Sequence, residues 1–284
     1  MEIKKVGVVG IGTMGHGITQ ISAQAGYDVI VVDATEDILK KGMATIDKVM
    51  SRNVEKGRVT QEDKDAAMGR IKTSTKMEDL ADRDLVVEAV FENLDLKKQV
   101  FTQLEKICRK DTILGTNTSC LSIMDLAVQT TRQEKVLGLH FFVPPQVMKL
   151  LEIVRTIATD DETVEIAKKW GESLGKTCVI AKDTPGFIAN ALTNPYLLDA
   201  IRMYEAGIAS KEDIDTAITL GMNHPMGPLT LCDFAGVDIV KFVADSMYEQ
   251  TKDPKWVAPV LLNKMVTAGW LGRKTGKGFY EYDK

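Results

Sequence analysis

A glycine-rich turn near the amino terminus limits the folds open to this sequence more than any other feature. The turn, Gly10-Ile-Gly12-Thr-Met-Gly15, follows a short β-branched run at residues 4–10 and opens a stretch with helical spacing at residues 13–25. A second β-branched run, residues 28–33, completes a strand-turn-helix-strand unit. Because this run is almost continuously apolar, we expect it in a parallel sheet with helices on both faces, which makes the sheet doubly wound.

The same turn has the pattern of a phosphate-binding loop. Gly10 permits the tight turn, Gly12 lets the backbone approach a pyrophosphate, and Gly15 allows close packing of helix on strand. Asp33 ends the second strand, 18 residues after the last glycine, near the spacing of a carboxylate that binds a ribose diol. Such a carboxylate would repel the 2′-phosphate of NADP, so NAD is the predicted cofactor. The alternative is a solvated Asp beside an ordinary turn. The cofactor-binding residues predicted here are Gly10, Gly12, Thr13, Met14, Gly15 and Asp33.

The alternation of strands and helices continues along the first two thirds of the chain. Six further strand candidates lie at residues 70–73, 84–90, 112–115, 135–142, 150–156 and 177–180, with amphipathic stretches such as 96–108 between them. The segment between the second and third strands is longer than a crossover needs, and residues 38–67 are charged, helix-prone and interrupted at Gly57. They predict an inserted helical hairpin, at about residues 38–68, that projects from the sheet.

The composition changes near Pro185. The β-branched runs stop, and helical patterns follow at residues 187–204, 211–220 and 229–248. The predicted fold class is therefore α/β, with a doubly wound, mostly parallel sheet and its inserted hairpin in residues 1–185 and an all-helical domain in residues 186–284. Apolar stretches such as residues 229–240 make the helical domain the expected surface for self-association.

Charge and composition exclude several classes of protein. The 284 residues carry 36 Lys and Arg against 40 Asp and Glu, a net charge of −4, so no basic field exists to hold a nucleic acid. No apolar run approaches the roughly 18 residues of a membrane span, and the first strand leaves no room for a signal peptide. The four cysteines lack C-x-x-C spacing and lie far from the three histidines, which indicates reduced thiols and no metal site. We expect a cytoplasmic protein.

Histidine is the natural group for proton transfer near neutral pH, and the chain offers three candidates. His16 lies in the glycine-rich turn and His224 in an Asn-His-Pro turn, whereas His140 ends an apolar strand at the edge where α/β sheets bind ligands. Glu152 lies in the next apolar strand, where a carboxylate is costly to bury without a partner. If the two strands are neighbours, Glu152 can accept the second ring N–H of His140 and fix its tautomer. The alternative is a core histidine and a rim glutamate.

Asn117-Thr-Ser119 follows another strand at the same edge. The Ser119 hydroxyl could hydrogen-bond a substrate oxygen, and a helix cap for Cys120 onward is an equally good interpretation. Local sequence leaves both open.

Motifs in order along essentially the whole chain resemble those of short-chain L-3-hydroxyacyl-CoA dehydrogenases of the 3-hydroxybutyryl-CoA dehydrogenase kind. Beyond the glycine-rich turn, they are Asp84-Leu-Val-Val-Glu-Ala89 with Glu92-Asn93, Asn117-Thr-Ser119, Gly138-Leu-His-Phe-Phe142, Met148-Lys-Leu-Leu-Glu152, Lys182-Asp-Thr-Pro-Gly-Phe187, His224-Pro-Met-Gly-Pro228 and Gly272-Arg-Lys-Thr-Gly-Lys-Gly-Phe-Tyr280. The resemblance implies NAD-dependent interconversion of (S)-3-hydroxyacyl-CoA and 3-oxoacyl-CoA in fatty-acid or butyrate metabolism. It also implies a Rossmann-type cofactor domain and a helical domain that completes the cleft and the homodimer.

The resemblance assigns the chemistry to four residues. His140 resembles the family's catalytic base, which takes the hydroxyl proton of the substrate, and Glu152 resembles its orienting partner. Ser119 and Asn190 match the positions that hydrogen-bond the substrate oxygen.

The resemblance also assigns binding roles. Glu92 and Lys97 match cofactor-contacting positions, and we place Asn117 with them. Lys56, on the inserted hairpin, matches a lysine that binds coenzyme A, so we count it with Ser119 as substrate-binding. Covering the coenzyme A moiety would then be the purpose of the hairpin.

Two positions depart from the family pattern. Val143 stands where the family usually has Asn, and Ala191 stands where it usually has Arg. Loss of a polar group beside the acyl chain changes which groups of a substrate can form hydrogen bonds there. We expect either that the protein prefers a different acyl group, or that nearby residues compensate for the two missing polar side chains.

Two rival functions remain. One is the same chemistry on another substrate, a different acyl-CoA or a sugar acid such as L-gulonate, against which Lys56 and the hairpin argue. The other is a non-enzymatic, cofactor-binding structural protein, like the lens crystallins related to this family. The intact set of Ser119, His140, Glu152 and Asn190 argues against it.

Overall fold

Eight strands form one sheet in the amino-terminal part of the chain. In the computed structural model, which describes residues 1–283, they are β1 (Lys5–Val9), β2 (Asp28–Val32), β3 (Ile71–Ser74), β4 (Leu85–Glu88), β5 (Ile113–Thr116), β6 (Val136–Phe141), β7 (Leu150–Arg155) and β8 (Thr177–Lys182). Their order across the sheet is β3-β2-β1-β4-β5-β6-β7-β8. All neighbours are parallel except β6 and β7, whose short connection allows only an antiparallel pair. The predicted strands and the doubly wound, mostly parallel class are confirmed.

Six helices accompany the sheet. They are α1 (Gly15–Gln24), α2 (Glu36–Glu55), α3 (Gln61–Gly69), α4 (Leu94–Ile107), α5 (Met124–Ala127) and α6 (Asp161–Ser173). Four of them begin at a residue whose side chain accepts a backbone N–H of the first turn, which satisfies one of the donors that a helix leaves open. These residues are Thr35, Thr60, Asn93 and Asp160.

The inserted hairpin consists of α2 and α3. Gly57, with a φ of +64°, lies in the turn between them, as the sequence predicts. The hairpin projects less than we expected, since both helices contact α1 and β3. The reason is a buried apolar stripe on α2, formed by Leu39, Ile46 and Met50. Gly42 lies on the same face, and a Cβ there would lie 2.6 Å from Ile11, so α2 packs directly on the glycine-rich turn.

Buried apolar residues cover the sheet. Strands β4 and β6 are buried along their whole length, as expected for central strands with helices on both faces. At one end of this core, the rings of Phe141 and Trp170 meet edge to face, with centroids 6.0 Å apart.

The chain separates into two compact units, Met1–Thr184 and a second that begins at Pro185. The second unit contains α7 (Ala189–Glu205), α8 (Lys211–Gly221), α9 (Pro228–Ala235), α10 (Val237–Thr251) and α11 (Val260–Thr267). The pattern at residues 229–248 predicts one helix, but the structure divides it into α9 and α10. Gly236 has a φ of +104°, which a helix cannot accommodate, and its N–H caps α9 by donating to the Cys232 carbonyl.

Two buried carboxylates organise the second unit. Asp215 accepts the backbone N–H groups of Leu229 and Thr230 at the start of α9. Asp233 accepts those of Phe279 and Tyr280, both at 2.9 Å, and so holds the carboxyl-terminal segment. Burial raises the pKa of Asp233 above its ordinary value, against the lowering effect of these hydrogen bonds.

Within residues 1–283, every helix is too short or too polar to span a lipid bilayer.

Candidate active site

The glycine-rich turn joins β1 to α1 at the carboxyl edge of the sheet. Gly10 has a φ of +94°, and a side chain there would also meet the backbone of Ala89 at 2.8 Å. A Cβ at Gly15 would collide with the Gly10 carbonyl, whereas a Cβ at Gly12 would meet no atom within 4 Å. The turn is therefore tight on its inner side and open at Gly12, where a pyrophosphate can approach the backbone and the start of α1.

Asp33 connects the end of β2 to this turn. One carboxylate oxygen accepts the N–H of Ile11 at 2.8 Å, and the other accepts the N–H of Ala34 at 2.7 Å. Each carboxylate oxygen has a second lone pair with which to accept a hydroxyl. The carboxylate therefore lies where the sequence predicts a partner for a ribose diol, and these residues fit an adenine dinucleotide.

His140 and Glu152 face each other on neighbouring strands. They are direct partners in the antiparallel pair of β6 and β7, and the Nδ1 atom of His140 lies 2.6 Å from Oε2 of Glu152. Both side chains are buried, with Glu152 at 0% exposure, so Glu152 is not a rim residue. A carboxylate at this position accepts a proton-bearing Nδ1, which makes Nε2 the basic nitrogen of the ring.

The turn that carries Ser119 is closed by its neighbour Thr118. The Thr118 hydroxyl accepts the N–H of Leu121 at 3.0 Å, and the backbone N–H of Ser119 donates to Oε1 of Glu92 at 2.8 Å. The next helix, α5, begins only at Met124. The interpretation of this segment as a helix cap for Cys120 onward is therefore wrong.

Asn117 braces the ends of two strands. Its side-chain oxygen accepts the backbone N–H of Phe141 at 3.0 Å, and its own N–H donates to the carbonyl of Glu88 at 2.8 Å. It thereby fixes the residue that follows His140. Its predicted contact with the cofactor stays a prediction.

A buried ion network lies behind this turn. The ammonium of Lys97, a side chain 1% exposed, donates to Glu88 at 2.7 Å and lies 3.2 Å from Glu92. Glu88, at 0% exposure, also accepts the hydroxyl of Thr116 and the N–H of Val90, both at 2.7 Å. Paired and hydrogen-bonded in this way, the buried charges avoid the full cost of desolvation.

Glu88 is not among the site residues that the sequence analysis selects, although it lies within the motif Asp84-Leu-Val-Val-Glu-Ala89. The signal was present, because Glu88 ends an apolar strand, as Glu152 interrupts one, and a carboxylate there requires a partner. The partner, Lys97, is one turn into the following helix.

Lys56 lies at the carboxyl end of α2, beside a cleft of about 390 Å³. The hairpin contributes three exposed cations to this cleft, and the loop between β6 and β7 forms its opposite wall. The sequence predicts only one of these cations. The residues that line the cleft include Arg52, Asn53, Lys56, Arg58, Gln146 and Val147.

Asn190 belongs to the second unit, where it is the second residue of α7 and is half-buried. Its hydrogen bond to substrate stays a prediction from the resemblance. Of the other histidines, His16 lies with Nδ1 2.8 Å from the Gly12 carbonyl, and His224 is exposed beside the ring of Tyr196.

Comparison with known proteins decides the family. Residues 5–184 match the NAD-binding domain of 3-hydroxyacyl-CoA dehydrogenase, and residues 186–282 match the C-terminal domain of the same enzyme. The chain belongs to the 3-hydroxyacyl-CoA dehydrogenase family. It is an oxidoreductase whose cofactor is NAD.

Relatives in the 3-hydroxyacyl-CoA dehydrogenase family match over the full length. A 3-hydroxybutyryl-CoA dehydrogenase of Mycobacterium tuberculosis is 45% identical over 282 residues, which cover 99% of each chain. The mitochondrial hydroxyacyl-coenzyme A dehydrogenase of Sus scrofa is 44% identical over 99% of this chain and 91% of its own. The crystal structure of (S)-3-hydroxybutyryl-CoA dehydrogenase from Ralstonia eutropha superimposes with a TM-score of 0.97 at 41% identity, covering 100% of both chains.

This member of the 3-hydroxyacyl-CoA dehydrogenase family holds its cysteines as thiols. Cys108, Cys120 and Cys232 are buried and Cys178 is half-buried, and none of the four forms a disulfide. Among residues 1–283, no three His, Cys, Asp or Glu side chains are grouped to hold a metal ion.

Proposed function

We propose that the protein interconverts (S)-3-hydroxybutyryl-CoA and acetoacetyl-CoA with NAD, as in fatty-acid and butyrate metabolism. The observation that carries the proposal is the buried pair of His140 and Glu152 at the carboxyl edge of a dinucleotide-binding sheet. Full-length relatives from Mycobacterium tuberculosis and Ralstonia eutropha, both named 3-hydroxybutyryl-CoA dehydrogenases, support the four-carbon substrate.

In the proposed mechanism, His140 moves the proton. Its Nε2 takes the C3 hydroxyl proton during oxidation, and the Glu152 carboxylate stabilises the imidazolium that forms. NAD supplies the acceptor for the hydride that leaves C3. In the reverse direction the imidazolium returns the proton to the developing alkoxide. The Ser119 hydroxyl hydrogen-bonds the C3 oxygen, and loss of such a donor costs about 10²- to 10³-fold in turnover. The same role for Asn190 is carried over from the family resemblance alone.

Glu92 and Lys97 contribute in different ways. Because Glu88, Glu92 and the Val90 carbonyl surround the Lys97 ammonium, we assign Lys97 a positioning role exerted through Glu92. Glu92, whose side chain is 25% exposed, fixes the backbone of Ser119 and is the member of the network that the cofactor can reach.

The cleft beside Lys56 suits the nucleotide of coenzyme A. Arg52, Lys56 and Arg58 place three cations on one wall, and guanidinium and ammonium groups bind phosphates well. A sugar acid has no phosphate to satisfy these groups. The cleft therefore favours thioesters of coenzyme A over free hydroxy acids.

We further propose a cytoplasmic homodimer formed through the helical unit. Thiols such as those of the four cysteines are what a reducing compartment maintains. Leu229 and Val240 of the segment 229–240 are buried in the unit's own core, but Phe234 and Ile239 of the same segment are exposed. Ile208, Leu220 and Met222 are further exposed apolar side chains of this unit. Sedimentation equilibrium tests this proposal, and a mass of one chain at micromolar concentration would refute it.

A substrate panel tests the proposed function. NADH oxidation is measured with acetoacetyl-CoA, longer and branched 3-oxoacyl-CoA thioesters, and free acetoacetate, with NADPH as the comparator. We expect acetoacetyl-CoA and NADH to give the highest kcat/KM. A higher kcat/KM with another thioester would change the assigned substrate and implicate Val143 and Ala191 in the acyl preference. A higher kcat/KM with a free acid would refute the coenzyme A assignment.

A further inference from the structure

Lys176, the residue before β8, is a buried cation without a carboxylate partner within the described residues. Its side chain is 8% exposed, and burial lowers its pKa. The ammonium donates to two backbone carbonyls, those of Pro145 at 2.5 Å and Met148 at 2.8 Å. Burying a cation in this way costs free energy, and the two hydrogen bonds of Lys176 offset part of that cost while they hold a backbone segment in place.

They hold the loop that joins β6 to β7, directly after His140. Within this loop the N–H groups of Val147 and Met148 donate to the Pro144 carbonyl at 2.9 and 3.0 Å, which forms a compact turn. The carbonyls bound by Lys176 belong to the residues on either side of Gln146 and Val147. These two residues are the wall of the cleft that faces the basic residues of the hairpin.

The same wall is in contact with α1 on another side. A Cβ added at Gly17 would lie 2.6 Å from Oε1 of Gln146 and 3.0 Å from the ring of Pro145. The loop therefore fits against α1 without space for one more methyl group.

Behind the wall lies a second cavity, of about 460 Å³, which Gln146 and Val147 also line. Lys176 and Gln24 lie around this cavity as well. Gln146 and Val147 thus separate the cleft from the second cavity. The carbonyls of the residues before and after them in the sequence accept hydrogen bonds from Lys176. Without these bonds, the loop has room to move away from the cleft.

We propose that Lys176 is a positioning residue for coenzyme A recognition. By holding Gln146 and Val147 opposite the basic residues of the hairpin, it sets the width of the cleft that receives the nucleotide of the thioester. This inference rests on the proposed function, since it assigns a determinant of thioester binding to the same cleft.

The test compares acetoacetyl-CoA with acetoacetyl-pantetheine, which carries the same acyl group without the nucleotide. In Lys176→Met, which keeps the apolar stem and removes the charge, we expect KM for acetoacetyl-CoA to rise roughly tenfold. The values of KM for acetoacetyl-pantetheine and NADH, and kcat, should stay within about twofold, because the acyl and cofactor sites do not depend on these bonds. Lys169→Met, at an exposed lysine of α6, is the matched control.

Gly17→Ala provides a second route to the same readout. Its methyl group displaces Gln146 while Lys176 stays intact, so we expect the same loss of preference for the coenzyme A thioester. This variant tests the inference even if Lys176→Met does not fold. An unchanged ratio of kcat/KM for the two thioesters in folded Lys176→Met would overturn the inference, and so would an equal loss on both. Absence of turnover with acetoacetyl-CoA in the wild-type protein would instead refute the proposed function.

Discussion

Glu152 and Glu88 are both completely buried, yet they pair with different basic side chains. Glu152 pairs with the imidazole of His140, the proton carrier of the proposed mechanism, whereas Glu88 pairs with the ammonium of Lys97. The first carboxylate can therefore take part in proton transfer through its partner, and the second can only hold its partner in place.

Replacing Glu152 by glutamine tests the first role. In Glu152→Gln the side chain keeps its shape but no longer stabilises the imidazolium or fixes its tautomer. We expect kcat for acetoacetyl-CoA reduction to fall about 10³-fold or more, by comparison with amide substitutions in other histidine–carboxylate pairs. NADH affinity, measured by fluorescence titration, should not change, because Glu152 is distant in the sheet from the glycine-rich turn. Unaltered turnover would remove Glu152 from the mechanism.

We propose that Asp33 sets the preference for NAD over NADP. Asp33→Ala removes the negative charge that would repel a 2′-phosphate, so we expect the NAD-to-NADP ratio of kcat/KM to fall by at least about tenfold. Glu36→Ala, an exposed acidic residue in the first turn of α2, is the control. If Asp33→Ala keeps the wild-type ratio, another group sets the preference.

At the scale of elements, the carboxyl ends of β4 and β5 are joined to α4 by the network around Lys97. The network passes from Glu88 through Lys97 to Glu92, and Glu92 holds the backbone of Ser119. A helix that follows one strand thus positions the turn that follows the next strand.

Lys97→Met tests this connection. It leaves Glu88 buried without its cation, and removal of one member of a buried ion pair typically costs about 3–5 kcal/mol. We expect urea unfolding to show a loss of this size. The double variant Glu88→Gln with Lys97→Met should recover part of it, because the remaining side chain at position 88 is neutral. A double variant as unstable as the sum of the single variants would contradict the pairing.

The far end of α4 is held by a second buried cation, Arg132, which donates to Oε2 of Glu105 at 2.8 Å and to the Cys108 carbonyl at 3.1 Å. Burial raises the pKa of Glu105, but hydrogen bonds from Lys110, Thr131 and Arg132 outweigh it and lower the pKa from 4.5 to about 2. A lowered carboxylate pKa stabilises the fold fully above pH 4.5, and this contribution disappears as the pH falls toward about 2.

Glu105→Gln should therefore be less stable than wild type at pH 7, by about 2 kcal/mol for the charged hydrogen bonds it loses. The difference should shrink as the pH is lowered below about 4.5, since the wild-type carboxylate then loses its own contribution. Urea unfolding at a series of pH values measures it, with Glu249→Gln at an exposed ion pair as the control. A difference that stays constant between pH 7 and about pH 3.5 would contradict the linkage.

At the scale of the whole molecule, the sequence predicts the fold well because its signals are local and repeated. Most strands are short runs of β-branched or other aliphatic residues, and Gly57 separates α2 from α3. The glycine-rich turn fits few structures other than a strand-turn-helix unit. Local pattern could not show that Gly236 divides a helix, since a glycine within a helical pattern is tolerated elsewhere in the chain, as Gly42 and Gly171 are.

The candidate site was partly predictable for a related physical reason. His140 and Glu152 could be paired from sequence because one short connection joins their strands. Lys176 could not be given a role in the same way. It acts through hydrogen bonds to a loop 28 to 31 residues earlier in the sequence.

The most direct test of the central claim is the turnover of His140→Asn with acetoacetyl-CoA and NADH. If His140 is the acid–base group, kcat should fall by about 10²- to 10⁴-fold while NADH still binds with wild-type affinity. His224→Asn, at the exposed histidine of the second unit, should keep wild-type kcat. A His140→Asn protein that reduces acetoacetyl-CoA within about threefold of the wild-type rate would contradict the account, since proton transfer would then come from another group.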